Sequence, residues 1–474
     1  RYTMAGKKEV SRRAFMRDAA KTAAGISAGA AVVKTARADV YKSILPSSVL
    51  GANEMIRTGH IGVGVMGRGN LLNNMKRPDV MPIAVCDLHP RMLAEKHAMA
   101  QSKNPDATAH EDYMEVIENK DVDAVICSTT DHWHAMVTIA ACDAGKAVYC
   151  EKPLSTTVKE GQAMVAAAKR NNTVVQCGTI QRSGQQFQEA IELVKSGVLG
   201  QVGHVHTFAL NMLAPSGIGN PPDITDPEKW GKFGPWEKYQ GWVEHKPFNV
   251  NRWLNHFRWF FDYAGGKLTD WGVHLVDIAM WAMGEDKLPK SVSASGGKFI
   301  MTDNRTTPDT LNVSWEFDNY LMTYTNRVWT SYADHAMDPD DHGIIFYGTK
   351  GTLKLSRKGY KLIPTDNQEF DPEAKQWKKF ESAEAKEAMG DGMLYEKHLE
   401  NFVSCIRSGE KPISHIESCH RSSAVCHIGN AAYLAGAKLT WDGAKEQFVG
   451  GPDDAVKQAN EWIARPYLNG YTLG

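Results

Sequence analysis

The segment His60-Ile61-Gly62-Val63-Gly64-Val65-Met66-Gly67 runs from an apolar strand into three glycines spaced G-x-G-x-x-G. In this pattern Gly62 and Gly64 allow a tight turn and the close approach of a pyrophosphate. Gly67 lets the following helix pack on the strand, and the N-terminus of that helix presents partial positive charge. Glycine-rich turns are common, so the weight lies in what surrounds them. A second apolar strand, Met81–Cys86, ends at Asp87, 20 residues after Gly67, where an acid for the adenosine ribose is expected. Asp87 favours NAD by repelling a 2′-phosphate. Arg68 or Arg91 nearby could offset that repulsion, which keeps NADP open, and a solvated strand-end carboxylate is the plainer reading of Asp87.

Outward from this turn, apolar strands at Ala124–Ser128, Ala147–Cys150 and Val174–Cys177 alternate with helical segments. The spacing predicts an N-terminal Rossmann dinucleotide-binding domain over residues 56–178. Ligands of such sheets sit beyond the carboxyl ends of the strands. Two polar clusters fall there: Thr129-Thr130-Asp131-His132-Trp133-His134 and Glu151-Lys152-Pro153. A lysine held beside a nicotinamide could orient the reacting carbon or exchange a proton, although a lone lysine is more often a surface residue.

From about residue 179 the pattern changes to strands of a large, mostly antiparallel sheet, at Val202–Leu210, Val292–Ser295, Leu311–Phe317, Leu321–Val328, Gly343–Tyr347 and Gly351–Leu355. The fold class is therefore α/β, with a C-terminal α/β domain over 179–393 built on an open sheet. Five of the 13 tryptophans lie between Trp230 and Trp259, with Phe257, Phe260, Phe261 and Tyr263 beside them. Two readings stand equal: exposed indoles that stack on sugar rings, or the core of an insertion or subunit contact. Asp270 and His274 are four apart and share one face if Thr269 begins a helix. A carboxylate there could fix the imidazole as a general base. A divalent metal, with His204 and His206 as further ligands, and a structural pair are the alternatives.

The 474 residues are 42% hydrophobic and 23% charged, and mean hydropathy is −0.39, which excludes disordered and collagen-like classes. No run reaches the roughly 20 apolar residues of an integral membrane span. Residues 1–38 hold nine Lys/Arg against two Asp/Glu, and the rest hold 45 against 53, so nothing suggests a nucleic-acid surface. Within the first 38, Ser11-Arg12-Arg13-Ala14-Phe15 fits a twin-arginine signal. An Ala/Gly-rich stretch and the cleavage-like Ala36-Arg37-Ala38 follow, so a periplasmic or otherwise exported protein is expected, with a linker over 39–55. The eight cysteines show no C-x-x-C and no paired spacing, and read as free, mostly buried thiols.

These motifs, in this order, resemble the Gfo/Idh/MocA oxidoreductases: the Gly62–Gly67 turn, Asp131 to His134, Glu151-Lys152-Pro153, Asp270 to His274, and the region Phe402–Asp442. The resemblance implies that 394–474 forms helices and a tail packing back on the first domain, and that the large sheet mediates a homo-oligomer. It implies a catalytic set of Lys152, Asp270 and His274, with His274 taking the hydroxyl proton and Asp270 orienting it. The candidate cofactor residues are Gly62, Gly64, Met66, Gly67, Arg68, Asp87, Thr129, Asp131, His134, Glu151 and Lys152. The candidate substrate residues are Gln181, Arg182, Arg258, Trp259 and Tyr263, with no metal. Thr130 departs from the proline common at that position.

An exported chain has no pool of NADH-oxidising partners, so the cofactor is expected to be tightly bound and recycled within one turnover. The expected activity is oxidation of a secondary hydroxyl of a carbohydrate. The alternative is the NAD-dependent glycosidase chemistry of the α-N-acetylgalactosaminidases in this superfamily, whose motif lacks the lysine of E-K-P. A redox-inactive sugar-binding protein is a third reading, disfavoured by the presence of Lys152, Asp270 and His274 together.

Overall fold

The computed structural model describes residues 55–210, 212–330 and 341–473. The twin-arginine segment 1–38 and all but the last residue of the 39–55 linker lie outside them. No helix among the described residues is long and apolar enough to cross a membrane.

Strands β1 (Ile56–Ile61), β2 (Val80–Cys86), β3 (Thr108–His110), β4 (Ala124–Cys127), β5 (Ala147–Cys150) and β6 (Val175–Cys177) form one six-stranded sheet in the order β3-β2-β1-β4-β5-β6. Every neighbouring pair is parallel. Helices α1 (Val65–Lys76), α2 (Pro90–Gln101), α3 (Tyr113–Glu118), α4 (His134–Asp143) and α5 (Val158–Asn171) cross between strands. The strands are nearly continuous runs of buried residues because helices cover both faces. Helix α5 begins with a capping box, Thr157 and Glu160 each holding the other's backbone N–H.

After α6 (Gln185–Lys195) the chain builds a ten-stranded sheet around β7 (Val202–Leu210), with β8 (Ser291–Gly297), β9 (Thr310–Glu316), β10 (Leu321–Arg327), β11 (His342–Gly348) and β12 (Gly351–Ser356). Only the β7–β10 contact is parallel. Its remaining strands are short pieces between residues 359 and 450, and a separate hairpin spans Gln368–Lys379. Helix α7 (Val273–Met283) and helix α9 (Ile416–Ala435) fill the concave core of this sheet. Helix α8 (Leu394–Ser408) instead lays Leu399, Phe402, Val403 and Ile406 against Ile56, Val80 and Ile126 of the Rossmann sheet. A last helix, α10 (Asp453–Ile463), precedes a segment that returns to the first sheet.

The structure favours one of the two readings of the aromatic lobe and corrects the expectation on the cysteines. The tryptophans of the aromatic lobe are core, with Trp236, Trp242, Trp253 and Trp259 each 3% exposed or less. They pack against Phe248, Tyr239 and Tyr263, and these rings make up most of the core of an insertion with few strands. The cysteines are not all free: Cys177, at the end of β6, is disulfide-bonded to Cys419 in α9. The pair is 242 residues apart in sequence, so no spacing rule could reveal it. The other six are buried thiols.

Candidate active site

The glycines of the first turn act in different ways. Gly62 has φ +81°, and a Cβ there would lie 2.6 Å from the Thr129 backbone nitrogen. A Cβ on Gly67 would lie 1.9 Å from the Gly62 carbonyl oxygen, so only glycine lets α1 sit this close to β1. Around Gly64 the space is open, and no side chain caps α1. That leaves its first-turn N–H groups at the cavity wall without a capping side chain, the arrangement that fits a pyrophosphate. Asp87 accepts from Val63 N and His89 N, both at 2.8 Å, which fixes its carboxylate at the end of β2.

A cavity of about 750 Å³ runs along the carboxyl ends of the parallel strands. Sheet order sets its layout, because Asp87 follows β2, Gly62 follows β1, Thr129 follows β4 and Lys152 follows β5. Neighbouring strands lie ~4.8 Å apart, so these four ends span roughly 15 Å. Gly62, Gly64, Met66, Asp87, Thr129, Asp131, Glu151, Lys152, Asp270, Arg258 and Trp259 all line the cavity. The aromatic lobe forms its opposite wall through Tyr239, Trp253 and Phe257.

At the β5 end, Lys152 Nζ donates to both Asp270 Oδ1 and the Asp270 carbonyl oxygen at 2.8 Å. Arg258 Nε lies 3.4 Å from Asp270 Oδ2. Burial opposes ionisation of Asp270, yet the adjacent Arg258 and Lys152 overcome it and hold the carboxyl below the ordinary carboxylate range. Asp131 responds the other way. It is buried, and burial pushes its carboxyl up to about 8 against the pull of Lys152. Glu151 is also buried, tied by Asn70 Nδ2 at 3.0 Å, and that amide also reaches Ser128, so the β5 end is braced against α1.

Several of the expected site residues lie outside the cavity wall or bond other partners than expected. No hydrogen bond joins Asp270 to His274. Residues Leu268–Gly272 form a π turn, which closes i to i+5 bonds, so the α-helical i,i+4 register fails across Asp270 and its carboxylate turns to Lys152. His274 lies beside the cavity rather than lining it, near Trp271, with Nδ1 buried and unpartnered among the described residues. Burial, then nearby Arg357 and Lys152, keep its imidazole neutral. His134 does not reach the cavity: Nδ1 bonds the Pro153 carbonyl at 2.7 Å and Nε2 the Thr129 carbonyl at 3.3 Å, bracing the two loops that do. Arg182 is locked by Asp277 in a buried bidentate pair at 2.7 and 2.9 Å. Gln181 and Tyr263 are buried away from the cavity, and Arg68 is exposed outside it. His204 and His206 both bond Thr323 Oγ1 on the large sheet.

Sequence reasoning placed Trp133 in the cluster at the β4 end without giving it a role, and missed Tyr113, Tyr239 and Tyr471 as cavity residues. Trp133, Tyr239 and Tyr471 meet only through contacts between residues more than 100 positions apart, which no local pattern signals.

Comparison with known proteins agrees with this architecture. Residues 56–179 match the oxidoreductase family with an NAD-binding Rossmann fold, and residues 239–354 match the GFO/IDH/MocA C-terminal domain. The chain is 31% identical over 155 residues to inositol 2-dehydrogenase of Salmonella paratyphi B, which is 32% of this chain and 45% of the relative. It is 28% identical over 205 residues to a glycosyl hydrolase family 109 protein of Shewanella pealeana, covering 41% of this chain and 45% of that one. The match thus spans less than half the length of these curated relatives. Among solved structures, the Bordetella pertussis WlbA dehydrogenase in complex with NADH and UDP-GlcNAcA superposes with a TM-score of 0.59 at 16% identity, over 82% of this chain and 99% of that one. With two models of one family matching just over half of its residues, the chain belongs to the Gfo/Idh/MocA oxidoreductases.

Proposed function

We propose that the protein is an exported NAD-dependent oxidoreductase that acts on a secondary hydroxyl of a sugar or glycoside and keeps its cofactor through the cycle. One observation carries the reading: the Lys152–Asp270 pair shares a single cavity with the Gly62–Gly67 turn and Asp87. The dinucleotide, when bound, accepts a hydride from the alcohol carbon. The chain's residues handle the rest. Lys152 has three N–H donors and spends two on Asp270, which leaves one for a substrate oxygen. Asp270 and Arg258 fix the direction of that ammonium. His274, kept neutral by burial and lying beside the cavity rather than in its wall, is the base in this reading.

Support for export comes from the twin-arginine pattern and the Cys177–Cys419 disulfide, since such bonds persist in oxidising compartments. Outside the cytoplasm NADH is not reoxidised by a soluble pool, which favours a retained cofactor and a cycle that returns the hydride. Relatives named as glycosyl hydrolase family 109 proteins keep a second reading alive, in which transient oxidation permits elimination across the glycosidic bond. Lys152 favours net oxidoreduction. Association through the large sheet is the expected oligomer, to be measured by sedimentation.

The test is to denature the purified protein after extensive dialysis and quantify released nucleotide per chain. Near one NAD(H) per chain supports the reading, and sugar pairs, epimers and aryl glycosides then divide its branches. No nucleotide, together with no binding of added NAD, overturns it.

A further inference from the structure

The residues after α10 do not trail into solvent. Arg465 donates to the Phe261 carbonyl at 2.7 Å, and the Tyr467 ring stacks on Trp242 with centroids 4.3 Å apart and planes 4° from parallel. The Tyr467 hydroxyl donates to Glu160 Oε1 at 2.7 Å, in the capping box of α5. Asn469 Nδ2 donates to the carbonyls of Gly241 and Val243, both at 2.8 Å. The segment is therefore pinned at once to the aromatic lobe and to the Rossmann domain. Its next ring, Tyr471, meets Trp133 edge-on at 5.7 Å, and Trp133 in turn meets Tyr113 at 5.7 Å. All three rings line the cavity.

Their position along the sheet identifies what they face. Tyr113 follows β3, the strand beyond β2, and Trp133 follows β4. The β3 side is the end of the cavity marked by the ribose acid Asp87, opposite Lys152. Glu111 and Asp112 lie there too, so residues 111–114 offer an aromatic face and carboxylate acceptors, and Lys238, next to the Tyr239 carbonyl that holds the Trp133 indole, also lines the cavity. That chemistry suits a neutral, planar, donor-bearing base rather than a phosphate.

We infer that segment 465–473 is part of the dinucleotide site, with Tyr471 closing the adenosine end of the cavity together with Trp133 and Tyr113. The inference rests on the NAD reading above and deepens it, since it supplies a physical reason for retention of the cofactor. Tyr471 is a binding residue in this view. Asn469 is a positioning residue, because it holds the segment against the lobe without touching the cavity.

The test compares wild type, Tyr471→Ala, Tyr471→Phe and Asn469→Ala, each checked for an unchanged circular dichroism spectrum. Stripped protein is titrated with NAD, and with nicotinamide mononucleotide as a probe that lacks the adenosine. Packing of a base on an aromatic ring supports about a tenfold effect, or about 1.4 kcal/mol. Tyr471→Ala should therefore weaken NAD about tenfold and speed its release, while leaving the mononucleotide unchanged. Tyr471→Phe should restore tight binding, and Asn469→Ala should fall between. Equal NAD affinity in wild type and Tyr471→Ala, or equal weakening of NAD and mononucleotide, overturns the assignment while the NAD reading stands. A wild type that binds neither overturns both.

Discussion

Asp131→Asn should stabilise the protein near neutral pH although it removes a cavity carboxyl. Burial pushes the Asp131 carboxyl up to about 8, whereas an unfolded aspartate titrates near its ordinary value of 3.8. Between those limits the native state holds a proton that the unfolded chain has released, so stability is full below about pH 4 and drains as pH rises toward 8. Each pH unit inside the window costs at most about 1.4 kcal/mol, and the three units up to pH 7 bound the loss at about 4 kcal/mol. An asparagine has the shape of the protonated acid and nothing to ionise, so its native state escapes this drain. The measurement is denaturant unfolding of wild type and variant in parallel at pH 5, 6, 7 and 7.5. The variant's advantage should grow by about 1 kcal/mol per unit, since every other titrating group is common to both proteins. A stability difference that stays flat across the series would refute the reasoning. It would mean that Asp131 is ionised in the fold, with Lys152 and Arg258 outweighing its burial.

His274→Ala should lower kcat by about 10²–10⁴-fold with bound nucleotide retained, and an unchanged rate would remove it as the base. Arg182→Ala should cost about 3–5 kcal/mol of stability by stranding the fully buried Asp277, while KM for the sugar in the folded fraction stays put. A raised KM with unaltered stability would return Arg182 to the substrate site. Replacing Cys177 and Cys419 together by alanine should lower stability by about 2–5 kcal/mol under non-reducing conditions, measured by chemical denaturation, and no loss would mean the thiols are unpaired in the native protein.

How much of this was legible in the sequence follows from how local each cause is. The Gly62–Gly67 turn, the apolar strands and Asp87 were readable because one strand, one turn and one helix contain the whole physical reason for each. The large sheet was readable for the same reason over β7 to β12, and its later short strands were not, because an exposed strand such as Lys386–Met389 carries no alternating pattern. The aromatic lobe was ambiguous in principle, since clustered indoles have the same sequence whether they face inward or outward. The site itself divides along this line. Lys152 and Asp270 were named separately, but their bond spans 118 residues, and the expected partner of Asp270 was the neighbour that α-helical spacing supplies. One π turn cancels that spacing. The result changes the chemistry as well as the contacts: a carboxylate that orients a histidine would raise the basicity of the base, whereas one that holds Lys152 and Arg258 orders cations at the end of the cavity where, in the proposed reaction, negative charge would develop on the substrate oxygen as its proton leaves. In the proposed reaction His274 would act without a hydrogen-bonded carboxylate behind it, so proton removal would depend on the field of Lys152 lowering the pKa of the substrate hydroxyl more than on the strength of the base.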